Sequence, residues 1–152
     1  MERQSLDTPF GPLCLTIEAD AVTRVTWDRV APSAPSELMR EALAQLAGYC
    51  AGTRTGFDLP LRVTGGPLQQ AVCAAMRAIP FGETRSYGDI AQEVGASAQA
   101  VGQACGRNPL PVLIPCHRVM GADNRLTGFS GAGGVETKVA LLRHEGAGAF
   151  LL

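Results

Sequence analysis

The chain has 152 residues, of which 46% are hydrophobic and 18% charged, a balance that supports a packed core and argues against disorder. The net charge of -1 and the aromatic content of 5% argue against a protein that holds nucleic acid by overall charge or by an extended base-stacking surface. The first 64 residues hold 6 arginines and 8 acidic groups, and the remainder holds 7 basic and 6 acidic groups. An anionic partner would therefore meet the second half, through a local patch.

The number and spacing of the cysteines and histidines exclude further classes of protein. The five cysteines are odd in number and widely spaced, and the chain has only two histidines, His117 and His144. We therefore expect no disulfide framework, no metal site and no cofactor. The sequence shows neither an apolar run of membrane-spanning length nor a basic-then-apolar leader, which predicts a cytoplasmic protein with no membrane partner.

The first third of the chain predicts a small α/β layer. Apolar positions alternate on both sides of a short turn at 19–21, which is typical of a β-hairpin: Leu13, Leu15, Ile17, Val25 and Trp27. An apolar stripe at helical spacing then predicts a helix from a Ser36 cap to Gly52, and Pro60 limits the segment 57–61 to an edge strand at best. Residues 1–64 are thus expected to form a scaffold domain without chemistry of its own.

After a linker at 65–67 the pattern becomes helical. Helices are expected over about 68–79, 87–94 and 98–107, the last capped by Ser97 after a break at Gly95. Two short helices joined by a turn that contains glycine have the form of a helix-turn-helix. The predicted fold is therefore an α/β N-terminal layer followed by an all-α, winged-helix-like helix-turn-helix domain at 67–148.

The expected recognition helix, 98–107, is unusual for a reader of base edges. It consists almost entirely of alanine and glycine, and long polar side chains occur only at Gln99, Gln103 and Arg107. A smooth face of small residues lets a backbone approach a groove closely, which suits contacts to the shape and backbone of DNA.

Cys116 and His117 are the first candidates for chemistry. They follow Pro115 in an apolar segment, 108–119, that is expected to be buried and extended. A thiol acts as a nucleophile only as the thiolate, which a neighbouring histidine can generate while a third polar group orients the imidazole. Adjacent residues of a strand point to opposite faces, so the pair would need a turn or a bridging water, and a core thiol beside a surface imidazole is the plainer alternative.

Glu145 is the candidate third member. The last helix, about 135–145, has Val135, Val139 and Leu142 on its expected apolar face and ends at Gly146. A carboxylate in the last turn opposes the helix dipole, so it indicates either a solvated surface group or a partner for His117. The glycine-rich segment 121–134 lacks the lysine and serine of a phosphate loop and suits a lid over a pocket.

Several segments together carry a resemblance to a known family. Residues 115–119, Pro-Cys-His-Arg-Val, lie between Gly-Arg-Asn-Pro at 106–109 and Gly-Phe-Ser-Gly at 128–131. With the segments 80–87 and 141–146, they resemble the signature of the O6-alkylguanine-DNA alkyltransferases over most of residues 67–146. The start of the chain, 7–13, resembles the family more loosely.

The resemblance implies a monomeric, single-turnover repair protein. It would bind double-stranded DNA carrying alkylated guanine, rotate the damaged base out of the stack and take the alkyl group onto Cys116, with O4-alkylthymine as a further substrate. His117 would remove the thiol proton through a water, Glu145 would orient the imidazole, Asn108 would tie the loop together, and Tyr87 would donate a proton to the leaving guanine. The resemblance also implies two further sets of residues. Those that contact the damaged base are Val119, Phe129 and Ser130. Those that contact the DNA are Arg85, Ser86, Ala98, Gln99, Ala100, Gly102 and Arg107.

The sequence departs from the family pattern at three positions. Gln99 stands where the family usually has the arginine that fills the gap left by the flipped base, which predicts weaker DNA binding or less efficient flipping. Phe129 replaces a usual tyrosine, and Cys73 replaces a common tryptophan in what is expected to be the core. The zinc site of some relatives cannot be built from two histidines placed elsewhere.

Three alternatives stay open. A damage sensor that binds without transfer, like the alkyltransferase-like proteins, is favoured by Gln99 and disfavoured by Cys116. A plain helix-turn-helix regulator would need neither the Cys-His pair nor the glycine-rich segment, and a hydrolytic cysteine enzyme fits the family pattern least.

Overall fold

The computed structural model describes residues 1–126 and 134–147, and the chain divides into two compact units, Met1–Arg62 and Val63–Leu152. The architecture is mixed α/β. Measured against the thickness of a bilayer, every helix in the described part of the chain is too short or too polar to span it.

The first unit is a three-stranded antiparallel sheet with one helix. Its strands are β1 (Glu2–Thr8), β2 (Gly11–Glu18) and β3 (Ala21–Thr26), in the order β1-β2-β3. The predicted hairpin is confirmed as β2–β3. Its turn places Ala19 and Asp20 at φ 47° and 61°, the left-handed pair that matches the twist of paired strands.

Strand β1 was not expected from the sequence, because its mostly polar residues show no apolar alternation. Gln4 is buried in this strand, and its amide donates to the carbonyl and the hydroxyl of Ser33, at 2.7 Å each. The predicted edge strand at 57–61 is reduced to one isolated bridge between Leu61 and Val22.

Helix α1 (Glu37–Ala51) begins and ends where the sequence predicts. The Ser36 hydroxyl accepts from the Met39 amide at 3.1 Å, and Gly52 ends the helix at φ 79°. Its inner face packs against the sheet through residues that include the fully buried Tyr49.

The second unit contains α2 (Pro67–Arg77), β4 (Arg85–Ser86), α3 (Tyr87–Val94), α4 (Ala98–Gly106), β5 (Val119–Met120) and α5 (Val135–His144). Helices α2, α3 and α4 pack against one another. Ser86 caps α3 in a reciprocal box with Asp89, Gly95 ends it at φ 73°, and the Ser97 hydroxyl caps α4. The helix–turn–helix arrangement of α3 and α4 agrees with the sequence prediction.

Two expectations for this unit were wrong. It is not all-α, because β4 and β5 form a parallel ladder, with Arg85 opposite Val119; strands of two residues give no periodic signal in a sequence. The segment 108–119 is buried as predicted but not extended. It turns at Val112, whose φ is 73°, and forms a 3-10 turn over Cys116–Arg118.

Candidate active site

Cys116 opens the 3-10 turn that carries the candidate chemistry. Its amide donates to the Ile114 carbonyl at 2.8 Å, and the Arg118 amide donates to the Pro115 carbonyl at 3.0 Å. A turn of this kind removes the constraint that adjacent side chains of a strand face opposite ways. Cys116 and His117 therefore lie on a turn, one of the two arrangements that the sequence analysis required for their cooperation.

The Cys116 thiol is 5% exposed, and its burial raises its pKa to about 11. A hydrogen bond from Asn108 and the positive charge of Lys138 act in the opposite direction, since both favour the thiolate. At neutral pH such a thiol is ionised in only about one molecule in ten thousand. Its reaction as a nucleophile therefore requires a base at hand.

His117 and Glu145 form a buried pair next to this thiol in the chain. The imidazole Nε2 lies 2.8 Å from the Glu145 Oε2, and both side chains are completely inaccessible to solvent. An ionised carboxylate at this position accepts the Nε2 proton, which leaves the lone pair on Nδ1. Nδ1 is buried and makes no hydrogen bond within the described residues. The pairing predicted between His117 and Glu145 is thus present in the structure.

The imidazole is held in its neutral form. Burial lowers the pKa of His117 below its usual value, and the Glu145 carboxylate opposes this effect without cancelling it. A neutral imidazole with a free Nδ1 lone pair is the form that can accept a proton from a thiol.

Arg118 is a site residue that the sequence analysis did not identify. Its Nε donates to Glu145 Oε1 at 2.7 Å and its Nη2 to Oε2 at 2.9 Å, while Nη1 donates to the Ile79 carbonyl at 2.7 Å. The guanidinium carbon lies 5.8 Å from the centre of the Phe81 ring. This pairing explains why a carboxylate can lie at the C-terminal end of α5, because the positive charge of Arg118 compensates the negative charge of Glu145.

Lys138 is the second residue that was missed. It is fully buried, its Nζ donates to the Val119 carbonyl at 2.6 Å, and burial lowers its pKa to about 8. The expected apolar face of α5 is confirmed at Leu142 and wrong at Val135, which is 41% exposed; the helix also buries Thr137, Lys138 and Leu141. The available signal was the spacing of Lys138 from Leu141 and Leu142, three and four residues, which places the lysine on the same helix face as the leucines.

Asn108 occupies the position that its expected role requires. Its Nδ2 donates to the Ile114 carbonyl at 2.9 Å, and its Oδ1 accepts from the Leu110 amide at 3.0 Å. These two bonds close the turn that leads to Cys116. The side chain is buried, so both bonds replace contacts with water.

The β4–β5 ladder brings the segment 85–87 beside the nucleophile turn. Arg85 pairs with Val119, and Tyr87 follows directly at the start of α3. The Lys138 Nζ lies 5.9 Å from the centre of the Tyr87 ring. Two of the residues that were expected to contact DNA have hydrogen-bond partners within the chain. The Arg85 guanidinium pairs with Glu93 at 2.9 Å, and the Ser86 hydroxyl caps α3.

The remaining expected DNA contacts lie along α4 and at its end. Ala98, Gln99 and Arg107 are exposed, and Ala100 and Gly102 are partly exposed. A Cβ atom added to Gly102 would meet no atom of the described residues within 4 Å. Packing inside the protein therefore does not require a glycine there. Phe129 and Ser130 lie outside the described residues.

The titratable groups of the described residues were also compared with the requirements of a metal centre. Across 1–126 and 134–147, no three histidine, cysteine, aspartate or glutamate side chains are grouped so that they could hold a metal ion.

Comparisons with known proteins show to which family the chain belongs. A family model described as "6-O-methylguanine DNA methyltransferase, DNA binding domain" matches residues 67–147. The chain is 42% identical to the methylated-DNA–protein-cysteine methyltransferase of Mycobacterium leprae, over 93% of this chain and 90% of that protein. It is also 42% identical to the constitutive enzyme of that name from Bacillus subtilis, over 91% of this chain and 92% of that protein.

Solved structures give the same result. The crystal structure of the Mycobacterium tuberculosis O6-methylguanine methyltransferase superposes with a TM-score of 0.83 at 41% identity, covering 96% of this chain and 93% of that chain. A Mycobacterium tuberculosis OGT in complex with DNA gives 0.84 at 40% identity, covering 99% and 96%. The resemblance predicted from the sequence motifs is therefore confirmed, and the chain belongs to the methylated-DNA–protein-cysteine methyltransferase family.

Proposed function

We propose that this protein repairs DNA directly by transferring the alkyl group of O6-alkylguanine in a duplex to its own Cys116, once per molecule. The observation that carries the proposal is the buried His117–Glu145 pair, joined at 2.8 Å, that follows the Cys116 thiol in one turn. A structural thiol would need no such pair beside it. The reaction is an enzyme-like methyl transfer in which the protein is consumed.

The proton movements follow from the tautomer. Glu145 holds the proton of His117 on Nε2, so Nδ1 accepts the Cys116 proton through a bridging water as the thiolate forms. The sulfur then forms a bond to the alkyl carbon while the bond from that carbon to guanine O6 breaks, and its electron pair passes to the guanine. Tyr87 gives its phenolic proton to the departing base, and exchange with solvent restores the phenol and the imidazole.

The helix-turn-helix would present the protein to DNA. A base stacked in the duplex cannot offer its O6 alkyl carbon to a thiol that is 5% exposed, so the guanine must leave the stack. Helix α4 exposes small residues on both sides of Gln99, with Ala98 and Gly102 on one side and Ala100 on the other, so that a nucleic acid backbone can approach closely while Gln99 and Arg107 reach outward. Gln99 would occupy the gap that the flipped guanine leaves. Arg85 and Ser86 would contribute contacts from the start of α3.

The proposal also assigns the two parts of the chain. Residues 67–148 would form the domain that binds DNA and accepts the alkyl group, and residues 1–64 a scaffold that carries no chemistry. The base edge would be bound by Val119 together with Phe129 and Ser130. The partner is double-stranded DNA with an alkylated guanine, and the protein acts as a monomer. Localisation in the cytoplasm stays a prediction.

The deciding experiment is the intact mass of the protein after mixing with a duplex that contains O6-methylguanine. We expect a gain of one methylene per molecule, confined to the peptide that holds Cys116 and never exceeding the amount of protein. Cys116→Ser should bind the duplex and gain no mass. Cys105→Ser is the matched control, since it removes another buried thiol and should leave the transfer in place.

A damage sensor remains the alternative that the same experiment separates. It predicts binding of the alkylated duplex without a mass gain, although Cys116 is shown to be free. In either case, an affinity for duplex DNA that falls steeply as the salt concentration rises would establish the contacts to phosphate.

A further inference from the structure

Arg118 binds the same Glu145 carboxylate that pairs with the His117 imidazole. Its guanidinium reaches both oxygens of Glu145, at 2.7 Å and 2.9 Å, and Glu145 Oε2 also faces His117 Nε2 at 2.8 Å. The Glu145 side chain is inaccessible to solvent and that of Arg118 is 8% exposed. The three side chains therefore form one chain of hydrogen bonds that is almost sealed from water.

The same guanidinium is anchored in a third element. Its Nη1 donates to the Ile79 carbonyl, two residues beyond the end of α2, at 2.7 Å. The loop that follows passes close to the backbone of Glu145, because a Cβ atom at Gly82 would lie 3.3 Å from the Glu145 carbonyl oxygen. A planar fork with five donors can satisfy two carboxylate oxygens and a carbonyl at once, whereas an ammonium group cannot match that geometry.

A buried ion pair gives little net stability, since its desolvation cost offsets most of its Coulomb energy. Stability alone therefore does not account for this arrangement. We propose that Arg118 is a positioning residue for the alkyl transfer: it fixes the ionised carboxylate of Glu145 in the orientation that keeps the His117 proton on Nε2 and leaves Nδ1 as the base. This inference rests on the proposed roles of Cys116, His117 and Glu145.

The charge of Arg118 has a consequence for pH. The charged groups that act on His117 are Lys138 from α5, Glu145 directly after that helix, and Arg118 from the same turn as His117; the titratable thiol of Cys116 precedes it in the turn. Glu145 raises the pKa of the imidazole, while Arg118 and Lys138 lower it. Without Arg118, the imidazole would take a proton from solvent at a higher pH, and its Nδ1 would no longer be a base. The loss of transfer on acidification would then begin at a higher pH.

The test is the second-order rate constant of methyl transfer to the full-length protein, measured from about pH 5 to about pH 9, the range in which histidine titrates. In Arg118→Met we expect at least a tenfold lower rate constant at neutral pH and an acid limb shifted upward by about one unit or more. In Arg118→Lys, which keeps the charge and loses the fork, we expect a lower rate constant with the acid limb in place. Glu145→Gln should move the acid limb in the opposite direction, downward.

Two results would overturn the proposal. One is an Arg118→Met protein that folds and keeps the wild-type rate constant and acid limb. The other is an equal loss of rate in the Met and Lys variants with neither acid limb displaced, which a purely structural role would produce. Wild-type protein that transfers no methyl group would instead refute the proposed function, so the two failures are distinguishable.

The control for loss of folding is a double variant that leaves no unpaired charge in the buried site. If Arg118→Met does not fold, Arg118→Met/Glu145→Gln removes both charges together, and its acid limb should lie below that of the wild type. If neither folds, the wild-type Arg118 Nε–H is observed by NMR. Slow exchange with water and two distinct Nη groups are expected, and a rapidly exchanging, averaged guanidinium would overturn the assignment.

Discussion

The Lys138 ammonium donates a 2.6 Å hydrogen bond to the carbonyl oxygen of Val119, three residues beyond Cys116. A fully buried lysine is costly, and its burial, only partly opposed by the nearby Cys116 and Cys105 thiols, lowers its pKa to about 8. It is nevertheless charged at neutral pH, and its charge favours the Cys116 thiolate. Lys138 thus lies where its charge can assist the ionisation of Cys116, and its hydrogen bond to Val119 holds strand β5, which follows Cys116 in the chain.

Replacement of this lysine tests that role. In Lys138→Met we expect the transfer rate constant at neutral pH to fall roughly tenfold, because loss of a nearby positive charge raises the pKa of the Cys116 thiol further. The ratio of wild-type to variant rates should shrink as the pH rises past about 8, where the lysine itself loses its charge. Arg143→Met, an exposed change on the same helix, is the matched control. A variant rate equal to the wild-type rate at all pH values would contradict this assignment.

A second buried thiol makes a prediction about stability at alkaline pH. Cys105 is 6% exposed, its sulfur lies 3.5 Å from that of Met76, and burial raises its pKa to about 12. A raised folded-state pKa contributes stability that is complete below the unfolded value near 9.0 and is lost as the pH rises toward about 12. By about pH 10.5, this group should lower the free energy of unfolding by about 2 kcal/mol.

Urea unfolding at a series of pH values measures this loss. Cys105→Val keeps an apolar side chain without a titrating proton, so its stability should decline less steeply above pH 9.0 than that of the wild type. Cys50→Val is the control, since that thiol is only half-buried and should contribute less. Parallel pH curves for the wild type and Cys105→Val would show that Cys105 does not titrate in the folded state at higher pH than in the unfolded one.

Local signals explain which elements could be predicted from the sequence. Helices α1 and α4 were placed correctly because a serine cap marks the start of each, at Ser36 and Ser97. The β2–β3 hairpin was predicted from apolar alternation. Strand β1 escaped because it is polar, and β4 and β5 because they are two residues long. Pairing of such segments is decided by the tertiary fold and leaves no periodic trace.

The candidate site divides along the same line. Cys116, His117 and Glu145 could be named from their residue types and positions and from motifs that resemble a family. Arg118 and Lys138 were not named, since analysis by hydrophobic periodicity places charged residues on the surface, and only Lys138 left a signal in its spacing from Leu141 and Leu142. Their burial depends on partners distant in the chain: Arg118 pairs with a carboxylate 27 residues away, and Lys138 with a carbonyl 19 residues away. Long-range compensation of this kind becomes visible only in three dimensions.

The Asn108 side chain offers a test of the turn that carries the nucleophile. In Asn108→Asp, the Oδ1 can still accept from the Leu110 amide, but the side chain no longer donates to the Ile114 carbonyl, and two oxygens then face each other. The Ile114 carbonyl keeps only the Cys116 amide as its donor. We expect a loss of about 1–3 kcal/mol in the free energy of unfolding and a slower transfer, since a buried hydrogen bond is replaced by the approach of two oxygens. Urea titration and the rate constant of methyl transfer measure the two effects.

The control for Asn108 is a polar change that is not hydrogen-bonded into this turn. Gln103→Ala, on the exposed face of α4, should leave stability within about 0.5 kcal/mol of the wild type. If Asn108→Asp were as stable as the wild type and transferred at the same rate, the two bonds would not be what holds Cys116 in place.

Gln99 provides the most direct test of the DNA-binding face. It is exposed in the first turn of α4, among alanines and glycine, at the position where the family resemblance implies an arginine. In Gln99→Arg we expect tighter binding of duplex DNA and faster transfer, because a guanidinium adds a positive charge and a planar group that stacks with bases. Binding should also weaken more steeply with salt, as expected for an added contact to phosphate.

Gln103 separates the effect of position from that of charge. It lies one turn further along the same exposed helix, so Gln103→Arg adds the same charge about 6 Å away. If residue 99 enters the stack of the duplex, both variants should bind DNA more tightly, but only Gln99→Arg should accelerate methyl transfer at saturating DNA. Equal acceleration by both would mean that the charge of α4, rather than a side chain at position 99, limits the reaction.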